Sequence, residues 1–214
     1  AKLVEKYQLV WGRFDGPIRN ITRALTQRLK QRFEATQADD VIAFAMTYGN
    51  PSINSVIDQL EKENVKRILF LPLFPQWAGA TVGAVEDEVG RALIHRQHQY
   101  QFKVVNNYHT EPKYIQAVAN SITRAKSYRD GKPLILFSFH GIPQAQVNQG
   151  DPYPQQCAET AQLIAAQLKL DAEQWMLTYQ SRFGYAPWLE PYTDVTLQAL
   201  PSQALSRTVT GLRS

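Results

Sequence analysis

Apolar positions along the chain alternate between helical spacing and short continuous runs, which predicts helices separated by buried strands. Segment 17–35 opens with Pro17, favoured in a first helical turn, and sets Ile21, Leu25, Leu29 and Phe33 four residues apart, so one apolar helical face is expected. The run from Val41 to Met46 is nearly continuous and ends at Tyr48-Gly49-Asn50-Pro51, as a central parallel strand would. A helix over 52–64 follows, then a buried strand from Ile68 to Phe74 whose Pro72 removes a ladder donor and places its end at an edge or bend. Segments 82–97 and 111–126 predict helices on either side of a strand at 102–105. Leu134 to Phe139 is the clearest strand of the second half and runs straight into His140-Gly141-Ile142-Pro143. Asp151-Pro152 supplies an N-cap and a first-turn proline for a helix near 153–168. Trp175 to Tyr179 predicts another strand, and 192–200 a short helix.

Helices alternating with apolar strands predict an α/β fold, a mainly parallel sheet covered on both faces. Ligands in such sheets bind beyond the carboxyl ends of strands, which singles out the loops after Met46, Leu73, Val105, Phe139 and Tyr179. The polar stretch 127–132 is the best linker, dividing the chain near its middle.

Composition narrows the picture. With 214 residues, 44% hydrophobic and 20% charged, the chain has the balance of a folded protein, so disorder, collagen and coiled coil are excluded. The lone Cys157 can form no internal disulfide and no multi-cysteine metal site, and points to a reducing compartment. Ala1 to Trp11 mix charges with apolar residues and lack a signal core, so a cytoplasmic location is expected. The uncharged stretch from Ile68 to Val85 contains Pro72, Pro75, Gln76, Gly79, Thr81 and Gly83, and reads as strand plus loop instead of a membrane span. A net charge of +4, scattered among acids, argues against a nucleic-acid partner.

His140 leads the candidate chemistry, because a titratable imidazole stands where an apolar strand ends and a glycine lets the backbone turn. It could serve as base or ligand; on position alone, a hydrogen-bonded strand-end histidine is the more ordinary reading. His95 and His98 lie among Arg91, Arg96 and Gln97 and read as a solvated face, and His109 as structural. Phe74, Trp77, Tyr108, Trp188 and Tyr192 recur at the same predicted rim; each alone suits packing, and together they suit a large flat apolar ligand. Arg182 and Arg19 could pair with ligand carboxylates, though single arginines are usually surface charges. No G-x-G-x-x-G, P-loop, H-E-x-x-H or G-x-S-x-G element occurs, which lowers the nucleotide-enzyme, zincin and serine-hydrolase readings.

Four motifs in order carry a resemblance: Phe137-Ser-Phe-His140-Gly-Ile-Pro143, Gly150-Asp-Pro-Tyr-Pro-Gln-Gln-Cys157, Thr178-Tyr-Gln-Ser-Arg-Phe-Gly184 and Pro187-Trp-Leu-Glu-Pro-Tyr-Thr-Asp194. With Met46-Thr-Tyr-Gly-Asn-Pro51, Leu71-Pro-Leu-Phe-Pro-Gln-Trp77 and Ala80-Thr-Val-Gly83 upstream, the chain resembles the ferrochelatases, in wording the proteobacterial branch, from about Ala1 to Leu200. The resemblance implies a chelatase-like fold of two Rossmann-like parallel-sheet halves with a cleft between them. Here they would be 1–127, lacking its first strand, and 133–200, the start of the second half, followed by a tail, 201–214, that does not resemble the family.

It also implies insertion of ferrous iron into protoporphyrin IX in haem biosynthesis. Iron and porphyrin are then substrates, no further cofactor is required, and peripheral contact at the inner membrane accompanies the cytoplasmic location. The family's motif histidine maps to His140, which would take a pyrrole proton or meet the incoming metal. Trp188 and Tyr108 would wall the porphyrin, with Tyr7, Phe74 and Trp77 placed beside them.

Departures from the family pattern are equally plain. Family members begin with a further strand and a glycine-rich loop, and their Gly-Gly-Ser-Pro-Leu turn reads Phe14-Asp-Gly-Pro-Ile18 here. They continue, after the tyrosine-threonine-aspartate motif, to a glutamate opposite the histidine, whereas no Asp or Glu follows Asp194. The expectation is therefore a ferrochelatase truncated at both ends, short of full activity and self-associating through exposed strand edges; were turnover to depend on His140, Glu190 and Asp194 would be the first suspects for the missing glutamate's part. A non-catalytic porphyrin-binding fragment and a chelatase for another tetrapyrrole or metal are the alternatives.

Overall fold

A computed structural model of the chain describes residues 16–36, 39–94, 96, 100–129, 134–200 and 209–211. In chain order its elements are α1 Pro17–Glu34, α2 Ile53–Lys62, β1 Arg67–Phe70, α3 Ala84–Leu93, β2 Gln101–Val104, α4 Pro112–Arg124, the single turn α5 Lys126–Arg129, β3 Ile135–His140, α6 Gln144–Asn148, α7 Tyr153–Leu168, β4 Trp175–Gln180, α8 Thr193–Ala199 and β5 Val209–Gly211. The predicted α/β class is what forms.

Two compact units result. The first holds the described residues up to Ile68 together with Asp87–Phe102, and the second holds Leu69–Glu86 and the described residues from Lys103 onward. In the first unit, Ser52 caps α2 by accepting the Ser55 N–H at 3.2 Å, which satisfies one of the free donors of a helix start. The Arg96 guanidinium ties the end of α3 to α2, donating to Asp58 at 2.6 Å and Glu61 at 2.9 Å. The apolar stripe predicted on α1 is present but uncovered, with Ile21 67% exposed and no residue of the helix buried.

In the second unit β3 is the central strand of a parallel sheet ordered β4-β3-β5, with Phe137 opposite Leu177 and Ile135 opposite Val209. β5 lies in the tail. α4 and α7 pack together, and Phe137, Ile164, Cys157, Ile115 and Tyr179 belong to one buried cluster. Burying a side chain of the size of Phe137 stabilises by roughly 1.5–3 kcal/mol, so this cluster is what fixes β3. α7 starts at Tyr153 as the sequence predicts, but Pro152 and not Asp151 is its N-cap; the Asp151 carboxylate, one residue earlier, accepts the Tyr153 N–H at 3.0 Å.

Several predicted elements differ. Residues 41–45 form no strand: Met46 makes only an isolated bridge with Ser52, and Val41 stays 47% exposed. An apolar run becomes a strand only when a neighbour offers a ladder, and among the described residues none pairs with this one. β1 ends at Phe70, before the non-donating Pro72, so the run to Phe74 is loop. The helix predicted over 82–97 begins as a wide π-turn at Gly79–Gly83 and closes at Leu93. Of the stretch 127–132, residues 127–129 are helical and 130–132 lie outside the described residues. No helix among the described residues is long and apolar enough to cross a membrane.

Candidate active site

β3 is buried along its length until its last residue, His140, which is exposed. Its register opposite Gln180 of β4 fixes where the imidazole emerges. His140 Nδ1 lies 2.7 Å from the Gly141 carbonyl oxygen. A carbonyl can only accept, so Nδ1 carries the proton and, in the neutral ring, Nε2 keeps a lone pair. That nitrogen can take a proton or meet a metal cation.

Gly141 sets the next distance. Its N–H donates to the Gln180 carbonyl at 2.8 Å, and a Cβ at this position would stand 3.2 Å from that oxygen and 3.3 Å from Trp188 Cε3. A Cβ here would be tighter than most, so glycine lets the indole approach without displacing its neighbours. Residues 187–189 run against 142–144, with Gln144 N–H donating to Pro187 at 2.9 Å and Leu189 N–H to Ile142 at 3.0 Å. The Trp188 ring consequently sits 6.4 Å from the His140 ring, tilted 58°. Phe183, 74% exposed, extends this face at 4.9 Å from Trp188, whose indole N–H donates to the Phe183 carbonyl at 3.0 Å.

The loop after β4 is braced by its own polar groups. Thr193 donates to Thr178 at 2.9 Å, so Ser138 donates to Thr193 across 2.8 Å, and the start of α8 is pinned to β3 and β4. Arg182 lies 3.9 Å over the Tyr192 ring and pairs with Asp194 at 3.0 Å. Both residues are thereby engaged with each other, Arg182 as a brace of the loop and Asp194 as its partner. Glu190 is exposed.

The three further predicted wall residues lie elsewhere in the same unit as a second set. Trp77 donates its backbone N–H to Gln156 Oε1 at 2.7 Å and its indole N–H to Glu86 at 3.2 Å. Tyr108 packs edge-on against Tyr114 at 5.6 Å, and burial first, then Tyr114, pushes its phenol up to about 12. Phe74 is 38% exposed on the loop after β1. No ring contact among the described residues joins this group to His140 and Trp188. Tyr7, like His95 and His98, lies outside the described residues.

His109 is structural, as the sequence suggests: it is buried, with Nε2 2.7 Å from Glu159 and Nδ1 3.0 Å from Asn107 Oδ1. The hydrogen bond from His109, with a second from Gln155, holds the Glu159 carboxyl below the usual carboxylate range. Cys157 is enclosed, and burial raises its thiol far above the ordinary value, so it is unreactive. Among the described residues no three His, Cys, Asp or Glu side chains cluster as metal ligands. Sequence reasoning assigns no role to Phe183 or Gln156, and to Gly141 only the turn of the backbone. The glycine directly after a strand-end histidine is the available signal for Gly141, whereas nothing local marks Gln156 as a partner of Trp77.

A family model described as Ferrochelatase matches residues 1–210. A ferrochelatase of Actinobacillus pleuropneumoniae serotype 3 is 42% identical over 206 residues, covering 96% of this chain and 63% of that protein. One from Hydrogenovibrio crunogenus is 42% identical over 209 residues, covering 96% of this chain and 55% of its own length. Ferrochelatase 2 of Shewanella oneidensis is 37% identical over 206 residues, with 96% of this chain and 63% of that protein covered. The chain thus spans somewhat more than half the length of these curated relatives. Matched over nearly all its residues, with His140 and Trp188 meeting on one aromatic rim, the chain belongs to the ferrochelatase family.

Proposed function

We propose that this chain carries the histidine-bearing, porphyrin-facing part of an enzyme that inserts ferrous iron into protoporphyrin IX to form protohaem. The observation that supports this most is the exposed His140, its Nδ1 turned to the Gly141 carbonyl, beside the joined rings of Trp188 and Phe183. Metal insertion exchanges two pyrrole N–H protons for one divalent cation. A neutral imidazole over the macrocycle serves that exchange through Nε2, which accepts a pyrrole proton or meets the cation on its way in. A flat apolar macrocycle stacks on aromatic faces, and Trp188 is held rigidly enough, by Phe183 and by residues 142–144, to press on one side of it. Iron and porphyrin are the substrates in this reading, no resident cofactor is invoked, and the reaction proceeds in the cytoplasm.

Titration of the purified chain with protoporphyrin IX, followed by porphyrin absorbance, tests the binding half. Trp188→Ala is expected to weaken binding by about tenfold, roughly 1.4 kcal/mol, and His140→Ala to leave it within about twofold. Equal affinities for wild type and Trp188→Ala would remove this rim as the porphyrin site.

A further inference from the structure

Residues 76–79 and 106–109, the segments that carry Trp77 and Tyr108, lie in no strand; Glu86 takes the Trp77 indole and the Asn106 amide, and four more of their polar groups are met by α7 and by Asp151 just before it. Gln76 Nε2 donates to Thr160 Oγ1 at 2.9 Å, Trp77 N–H to Gln156 Oε1 at 2.7 Å, and Gly79 N–H to Asp151 Oδ2 at 2.9 Å. His109 meets Glu159 at 2.7 Å. Gln156, Glu159 and Thr160 are three and four residues apart and so share one helical face. Tyr153, Cys157, Ala161 and Ile164 of the same helix are in the core, and Asp151 also accepts the Tyr153 N–H at 3.0 Å. One face of α7 is thus anchored while another holds both loops.

Trp77 is specified twice over. Its backbone is gripped by Gln156, and its ring is set by Glu86 at 3.2 Å and by Gly83, where a Cβ would stand 3.3 Å from Trp77 Cζ2. A tryptophan locked at both backbone and ring needs no reordering when a flat ligand arrives. We infer that the polar face of α7 is a positioning device for the porphyrin wall, with Gln156 placing Trp77 through its backbone N–H. This role rests on the porphyrin-binding reading above.

A double-mutant cycle on the whole chain, read by protoporphyrin IX affinity together with melting temperature, tests it. Gln156→Met keeps the side-chain length and removes the acceptor; it is expected to weaken binding about fivefold in the wild-type background and by less than about twofold in Trp77→Ala. Gln156→Glu, which keeps an acceptor oxygen, restores affinity to within about twofold of wild type. No loss with Gln156→Met, or equal losses in both backgrounds, would overturn the positioning role. Should Gln156→Met not fold, Asp151→Asn, which weakens the grip on Gly79, carries the same cycle with the same criteria. A chain that binds no protoporphyrin overturns the porphyrin reading and this role with it. Binding that is lost with Trp188→Ala but unmoved by Gln156→Met overturns this role alone.

Discussion

At position 141 a hydrogen in place of a methyl leaves room for Trp188 beside the turn that follows His140. Gly141→Ala would push against the Gln180 carbonyl and the indole together, a backbone atom and a buried ring with little room to yield. It is expected to destabilise the fold by about 1–3 kcal/mol, as overpacking does, and to weaken protoporphyrin binding as well. Denaturant unfolding and a porphyrin titration of the variant check both effects, and unchanged values in both would show that the close approach is not needed. His140 is readable in the sequence because a titratable side chain closing an apolar run is conspicuous. Phe183 and Gln156 are not, since their partners, Trp188 and Trp77, are set by loop geometry that no spacing encodes.

Elements with a chemical start signal are the readable ones. Pro17 opens α1 as predicted, α7 starts at Tyr153 just after the Asp151-Pro152 pair, and the largely apolar run of β3 forms the central strand. The equally apolar run 41–46 does not, because strand formation depends on a partner that lies elsewhere in the chain. How tightly α7 and β4 are buried has a measurable consequence. Burial raises Tyr153 and Cys157 on α7 and Tyr179 on β4 above their ordinary values. Each raised group contributes its full stabilisation below its unfolded value, about 8.5 for a thiol and 10 for a phenol, and loses it as pH climbs toward the folded value. The melting temperature is expected to fall steadily above about pH 9, with Cys157→Ala flattening the first part of the decline. A midpoint constant to about pH 11 would show that these groups are not held neutral by the fold.

For the whole molecule, the family is readable from motif order, while the division into compact units is not. Leu69–Glu86 joins the residues after Lys103, and no shift in composition marks that boundary. The consequence is functional: His140, Trp188, Phe183, Trp77 and Tyr108 all belong to the second unit, so the proposed porphyrin face is built within one body. The chemistry proposed for it centres on one imidazole, His140, whose Nδ1 is engaged by the Gly141 carbonyl. The most direct test is anaerobic incubation of the purified chain with protoporphyrin IX and ferrous iron, following loss of porphyrin fluorescence against an enzyme-free control and His140→Ala. Insertion that His140→Ala abolishes, with porphyrin affinity retained, is the expected outcome. Insertion at the same rate in His140→Ala, or porphyrin bound by the wild type and never metallated, would be incompatible with His140 acting as the proton acceptor of this chain.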